Sequence, residues 1–213
     1  MAGRPTTIAK GVRRALKPLG PVALMLALGV VSCGEQETAT PASRADDAKT
    51  ESREIAGNGI DRAFLTEMVP HHRSAIEMAE LAKRHSDRTE IKQLAKAITA
   101  TQDAEVRQMQ GLDRLLAAAG VARRRLSLSA HEMGMHMDPA VLRAARPFDR
   151  AFLDLMITHH EGAIRMAQVQ LTRGKNRTVK RLARAIVDAQ TTEINQMHQW
   201  RIQWFGVSGH EHH

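Results

Sequence analysis

The amino-acid sequence predicts an all-α protein: a four-helix bundle made of two repeated helical hairpins, preceded by a signal peptide and a tether. Two observations support this fold class. The chain repeats itself over most of its length at a constant spacing. In both copies, apolar residues recur every three or four positions, as on one face of an amphipathic helix. The sequence lacks the apolar and polar alternation that is typical of strands.

The N-terminal segment, residues 1–32, has the layout of a lipoprotein signal peptide. Basic residues from Arg4 to Lys17 precede an apolar run that is too short for a comfortable membrane span. Small residues then lead to Cys33, as at a lipoprotein cleavage site, so we predict that Cys33 is lipidated and anchors the chain to a membrane. A plain secretory signal or an uncleaved anchor is the alternative. Cys33 is the only cysteine, which excludes a disulfide within the chain.

The formal net charge of +8 belongs mainly to this segment. Residues 1–32 contain five basic and no acidic residues, so the rest of the chain has a net charge of +3. This balance gives little support to nucleic-acid binding, and we expect no nucleic-acid partner. Residues 33–58 are polar and poor in large apolar side chains, so we predict a disordered tether.

The repeat defines the predicted domain. Asp61-Arg62-Ala63-Phe64-Leu65 recurs 88 residues later as Asp149-Arg150-Ala151-Phe152-Leu153, and the correspondence continues without a gap into the next helix of each copy. We therefore assign residues 59–206 to one four-helix domain. Its parts are repeat 1 (residues 59–119), a Met/His-rich linker (120–147) and repeat 2 (148–206), and a His-rich tail follows (207–213).

Each repeat is predicted to contain two antiparallel helices. Helix breaks are expected at His85-Ser86-Asp87 and at Arg173-Gly174-Lys175-Asn176, and breaks this short place consecutive helices side by side. In the linker, Asp138-Pro139-Ala140 predicts the N-cap and first turn of a short extra helix.

Two His-His pairs occupy equivalent positions in the two repeats. At 100° per residue, Met68 lies near the centre of the apolar stripe of its helix, with His71 and His72 on either side. Imidazole binds several transition metals, whereas thioether favours Cu(I), so we predict a metal ion, copper as Cu(I), at these positions. The alternative is that the methionines fill the core and the histidines are structural. The predicted ligands are Met68, His71, His72 and Met78 in the first repeat and Met156, His159, His160 and Met166 in the second.

Four polar residues fall on the apolar stripes of the second and fourth helices: Gln102, Glu105, Gln190 and Glu193. Polar groups on a buried face need hydrogen-bond partners. They could accept hydrogen bonds from the histidine rings and fix the tautomers, serve as ligands themselves, or bond between helices. All three interpretations stay open.

The linker contains a second cluster of candidate metal ligands. Their composition alone suggests binding of a soft metal. These candidates are His131, Met133, Met135, His136 and Met137. The tail at residues 209–213 could bind metal as well, or be a solvated end.

The segment from Met68-Val69-Pro70-His71-His72 to Met78-Ala79, with its copy from Met156 to Ala167, resembles the paired signature of an exported bacterial family, domain of unknown function 305. The resemblance covers about residues 59–206. It implies a ferritin-like fold, and because relatives of the CopM type bind copper through His and Met, it implies copper handling in the envelope. The matching ligand positions are His71, His72, His159, His160, Met68, Met78, Met156 and Met166.

Pro70 departs from the repeat, since Thr158 is its counterpart. A proline inside a helix removes one backbone hydrogen bond and kinks the chain. We therefore expect the two metal sites to differ in geometry.

Three functions are compatible with the sequence. The first is an exported, lipid-anchored protein of the cell membrane or outer envelope that sequesters or relays copper, with a copper-handling envelope protein as partner. The second is an interaction module with structural or pH-responsive histidines. The third, a redox metalloenzyme, needs an open coordination position and a substrate cleft. No nucleophile elbow, P-loop or zinc-protease motif occurs in the sequence.

Overall fold

The computed structural model describes residues 56–135 and 138–206, and over these residues the protein is helical without any strand. The predicted all-α bundle of two helical hairpins is confirmed. Its helices are α1 (Gly59–His85), α2 (Thr89–Ala118), the short α3 (Pro139–Ala144), α4 (Phe148–Arg173) and α5 (Arg177–Phe205). The predicted signal peptide with Cys33, most of the tether, His136, Met137 and the tail lie outside the described residues.

Side-chain caps fix the starts of three helices. The Asn58 side chain accepts from Ile60 N at 3.0 Å, and Asp61 Oδ2 in turn accepts from Asn58 N at 2.6 Å, which forms a capping box. Asn176 caps α5 by accepting from Val179 N at 3.0 Å. Asp138 caps α3, as the sequence predicts, by accepting from Ala140 N at 2.8 Å.

The core consists of two apolar clusters, one towards each end of the bundle. Each cluster combines the first half of one repeat's leading helix with the second half of the other's, so α1 and α4 pack antiparallel. Equivalent residues such as Met68 and Met156 therefore lie in different clusters, as an approximate two-fold axis between the repeats requires. The first cluster includes Phe64, Met68, Met109, Met166 and Ile186, and the second includes Met78, Ile98, Phe152, Met156 and Met197.

α1 runs through Pro70 without interruption, with Pro70 on its exposed side. Among the described helices, none combines the length and the apolar character needed to span a bilayer.

Candidate metal centre

Four buried histidines form a polar layer between the two apolar clusters. His71 and His72 lie on α1, His159 and His160 lie on α4, and each is at most 1% exposed. We call these four residues the histidine layer. Burial of uncharged imidazole is costly unless its nitrogens have partners, so the partners of each ring are informative.

The inner pair of the layer is His71 and His159. Their ring centroids are 3.8 Å apart and their planes are inclined by 42°, so the pair joins the two repeats across the packed faces of α1 and α4. His72 and His160, the outer pair, lie further out, each with its ring centroid 6.4 Å from that of the preceding histidine.

The outer pair has the same partner in both repeats. His72 Nε2 lies 2.8 Å from Glu105 Oε2 on α2, and His160 Nε2 lies 2.6 Å from Glu193 Oε2 on α5. An ionised carboxylate can only accept, so each Nε2 carries the hydrogen and donates it. In the neutral ring this leaves the lone pair on Nδ1, and neither Nδ1 has a hydrogen-bond partner. A carboxylate that orients a histidine in this way is typical of metal-binding histidines.

The inner pair is not symmetric. His71 Nε2 donates to the backbone carbonyl of Met133 in the linker at 2.8 Å, which again leaves Nδ1 without a partner. Neither ring nitrogen of His159 meets hydrogen-bond geometry with a described residue. The His71 backbone lies near the ring and has the smallest of the effects on its pKa. In total, each of the four buried histidines presents an Nδ1 atom that no described residue hydrogen-bonds.

Both inner histidines favour the neutral form. Burial lowers the pKa of His71 to about 3, and the neighbouring His72 acts in the same direction. Burial also lowers the pKa of His159 well below its usual value, with repulsion from His71 as the next cause. A neutral imidazole is the form that binds a metal ion.

Two glycines let the linker reach His71. A Cβ at Gly162 on α4 would lie 2.0 Å from the Met133 carbonyl oxygen, and a Cβ at Gly134 would lie 2.7 Å from the Thr158 carbonyl oxygen. Gly134 also has a φ of +67°, a conformation that other residues adopt at a cost. Arg165 fixes the same segment by donating to the Glu132 carbonyl at 2.5 Å. These two glycines were not predicted as site residues, although Gly162 replaces Ser74 of the first repeat.

The predicted methionines flank the layer on both sides. All four are at most 1% exposed. Met68 and Met166 belong to the first apolar cluster, and Met78 and Met156 belong to the second. Each side of the layer therefore has buried thioethers from both repeats.

Gln102 and Gln190 are buried, each three residues before the glutamate that meets an outer histidine, and the Oε1 atom of each lacks a hydrogen-bond partner among the described residues. Of the linker candidates, Met133 packs against the first cluster and its carbonyl accepts from His71 in the layer, whereas Met135 is half-buried and His131 is exposed.

Within residues 56–135 and 138–206, no three His, Cys, Asp or Glu side chains come close enough together to hold a metal ion.

A helical bundle built from two repeated hairpins, with a buried histidine layer at its centre, is the class of protein that fold and site define. The chain belongs to the family described as domain of unknown function 305, whose model matches residues 32–113 and 61–201.

Solved structures of the family resemble this chain. CopM in its Cu(I)-bound form is 34% identical with a TM-score of 0.58, and the match covers 68% of this chain and 98% of CopM. CopM has also been crystallised with Cu(II) and with Ag. A family member from Streptomyces coelicolor, inferred to be secreted, is 30% identical with a TM-score of 0.64, over 73% of this chain and 98% of its own. Among curated proteins, none matches this chain.

Proposed function

We propose that this protein binds copper as a cargo ion in the histidine layer and sequesters or relays it in the cell envelope. The observation that carries the proposal is the set of four buried Nδ1 atoms without partners. Buried polar atoms nearly always have partners, so four buried Nδ1 atoms without partners suggest a ligand that the fold itself does not supply.

The donor types favour a soft metal. The inner pair supplies one imidazole from each repeat, and the buried methionines on either side supply thioethers. Thioether and imidazole together suit Cu(I) better than ions that prefer oxygen ligands. The CopM structures with copper and silver support the same choice of metal.

A role in the envelope agrees with the export that we expect for this chain. The family includes a protein inferred to be secreted, and the N-terminal sequence favours export followed by lipidation at Cys33. The ion would then be held outside the cytoplasm, on a protein attached to a membrane, and passed to or from a copper-handling envelope protein.

A competition titration tests the binding site. The full chain is titrated anaerobically with Cu(I) against a chelator of known affinity, with Zn(II) as the comparison metal. We expect tight binding that prefers Cu(I) and is lost in the His71→Ala/His159→Ala variant. The more conservative His71→Gln/His159→Gln variant repeats the test with less lost volume, and circular dichroism checks that both variants fold.

Two controls separate the layer from other histidines. His85→Ala removes an exposed histidine at the end of α1, outside the layer, and should leave Cu(I) binding unchanged. The His131→Ala/Met135→Ala variant removes linker candidates. If only this linker variant loses Cu(I), the metal site lies in the linker and the proposal for the layer is wrong.

A further inference from the structure

The two ends of the bundle differ in charge. One end, where α1 and α5 begin and α2 and α4 end, has seven exposed basic residues that form no ion pair within the described part of the chain. We call it the basic end. Its seven residues are Arg114, Arg123, Arg124, Arg125, Arg173, Lys175 and Arg177.

Hydrogen bonds hold these segments together at one end. Arg124 N donates to the Gly59 carbonyl at 3.0 Å, which ties the arginine run to the start of α1. The Asn58 side chain donates to the Arg173 carbonyl at 2.8 Å, which ties the end of α4 to the same point. The seven charges are therefore concentrated on one surface.

The acidic residues of this end are already engaged inside the fold. Asp61 is fully buried and accepts from Gln170 Nε2 at 2.6 Å and from the backbone N of Lys175 at 3.0 Å. Asp113 pairs with Arg62 at 2.8 Å, and Glu67 accepts from Leu126 N at 3.2 Å. Glu67 also lines the groove of Arg123, Arg124 and Arg125, so one carboxylate lies among these cations. The basic end still has a large excess of positive charge.

At the opposite end some cations form ion pairs and exposed Asp87 and Glu90 add negative charge, although Arg143 and Arg146 form no ion pair with a described residue. Arg88 lies 3.4 Å from Asp149, and Lys83 lies 2.5 Å from Glu80. The guanidinium of Arg88 also stacks over the Trp204 ring, 4.2 Å from its centroid. The excess of unpaired positive charge is therefore larger at the basic end than at the opposite end.

Two further features of the basic end favour a lipid partner. Leu115, next to Arg114 in the last turns of α2, is 58% exposed, and an apolar side chain among cations suits the boundary between headgroups and acyl chains. The polypeptide also enters the bundle here, since Asn176 Nδ2 donates to the Ala56 carbonyl at 3.1 Å. The N-terminal sequence with its apolar run and Cys33 is joined to this end.

We propose that the basic end docks on a membrane surface through anionic phospholipid headgroups. The arginines bind headgroup phosphates, for which guanidinium has the matching geometry. Beside them, Thr66 and Ser127 line the same groove as Arg123, Arg124 and Arg125 and add hydroxyl groups. Docking here directs the opposite end of the bundle away from the membrane. This inference does not depend on copper binding.

Hydrogen exchange of the full chain on vesicles tests the proposal. The chain is added to phosphatidylcholine vesicles with or without phosphatidylglycerol, and backbone exchange is followed by mass spectrometry. We expect exchange in residues 117–126 to slow by about tenfold on the anionic vesicles, no change in residues 139–147 at the opposite end, and loss of the effect at high salt.

Charge variants decide whether the arginines cause the protection. Each basic residue near an anionic surface strengthens binding about fivefold, so Arg123→Gln/Arg124→Gln/Arg125→Gln should weaken docking by roughly a hundredfold and abolish the protection. The matched control, Arg84→Gln/Lys96→Gln/Arg143→Gln, removes three exposed cations away from the basic end and should retain it.

Three results would overturn the proposal. The first is equal exchange on neutral and anionic vesicles, and the second is protection at the opposite end. The third is protection of residues 117–126 by a short DNA duplex but not by vesicles, which would identify the basic end as a nucleic-acid surface instead.

Discussion

The two repeats carry the same histidines but hold them differently. In the outer pair the match is close, because His72 and His160 each donate to a glutamate at the same position of the following helix. In the inner pair the match fails, because His71 donates to the Met133 carbonyl whereas neither ring nitrogen of His159 forms a hydrogen bond of comparable geometry with a described residue. The repeat thus determines which side chains form the layer. The linker occurs once in the chain, and its contact with His71 makes the two inner histidines different.

This difference assigns separate roles to the inner histidines. His71 holds the Met/His-rich linker against the bundle as well as presenting Nδ1. His159 makes no such contact with the linker. If copper binds the layer, replacement of His159 should weaken metal binding without releasing the linker.

The largest effect is expected from replacing the inner histidines one at a time. His71→Ala and His159→Ala should each weaken Cu(I) binding by more than about 100-fold, since even the loss of a residue that orients a ligand costs 10- to 100-fold. Only His71→Ala should also release the linker, because it leaves the Met133 carbonyl without its donor. Chelator competition measures the first effect, and hydrogen exchange of residues 129–135 measures the second. Equal exchange of residues 129–135 in the two variants would contradict the proposed difference between His71 and His159.

The stability of the metal-free protein should fall with acid because of the inner pair. The lowered pKa values of His71 and His159 mean that these rings stay neutral in the fold, while in the unfolded chain they take up a proton below pH 6.5. Their contribution is therefore complete above pH 6.5 and is lost as the pH falls towards 3, where His71 protonates in the fold. The slope is about 1.4 kcal/mol per pH unit for each histidine.

Urea unfolding between pH 7 and pH 5 measures this slope, in a range where carboxylates contribute less. In the His71→Gln/His159→Gln variant, the free energy of unfolding should no longer show this dependence on pH. A variant with an unchanged slope would show that other groups cause the acid sensitivity.

The outer pair offers a test of equivalence. Glu105→Gln and Glu193→Gln each replace a carboxylate that fixes a histidine tautomer by an amide that can present either a donor or an acceptor. Each should weaken Cu(I) binding by about 10- to 100-fold, and by similar amounts in the two repeats. Glu90→Gln, on an exposed position of α2, is the control. Very unequal losses would show that the outer histidines do not act as a symmetric pair.

The smallest effect concerns the glycines. Gly162→Ala should destabilise the protein by about 1–3 kcal/mol, because its Cβ would clash with the linker backbone. Gly111→Ala, in α2 with nothing within 4 Å of a Cβ, should stabilise it by about 0.5–1 kcal/mol. Thermal or urea unfolding compares the two. Similar effects of both variants would argue against close packing of the linker.

Most of the fold could be predicted from the sequence because two periodicities reinforce each other. The repeat fixed the pairing of helices, and the apolar stripes placed the histidines and the polar residues Gln102 and Glu105 on inner faces. Breaks at Ser86 and Gly174 marked the hairpin turns. These features depend on local spacing, which a sequence displays directly.

The asymmetry of the centre could be anticipated only in part. Pro70 suggested a difference between the repeats, yet α1 continues through it, and the difference lies in the contact of Met133 with His71. That contact joins residues 62 positions apart and depends on the missing side chain of Gly162. Composition identified the linker as rich in Met and His but could not show which of its backbone atoms meets the layer.

Anomalous diffraction from crystals of the Cu(I)-loaded protein tests the central claim most directly. We expect a copper peak between α1 and α4, at bonding distance from the Nδ1 atoms of His71 and His159. Copper found only in the linker or the C-terminal tail, with the histidine layer empty, would contradict it.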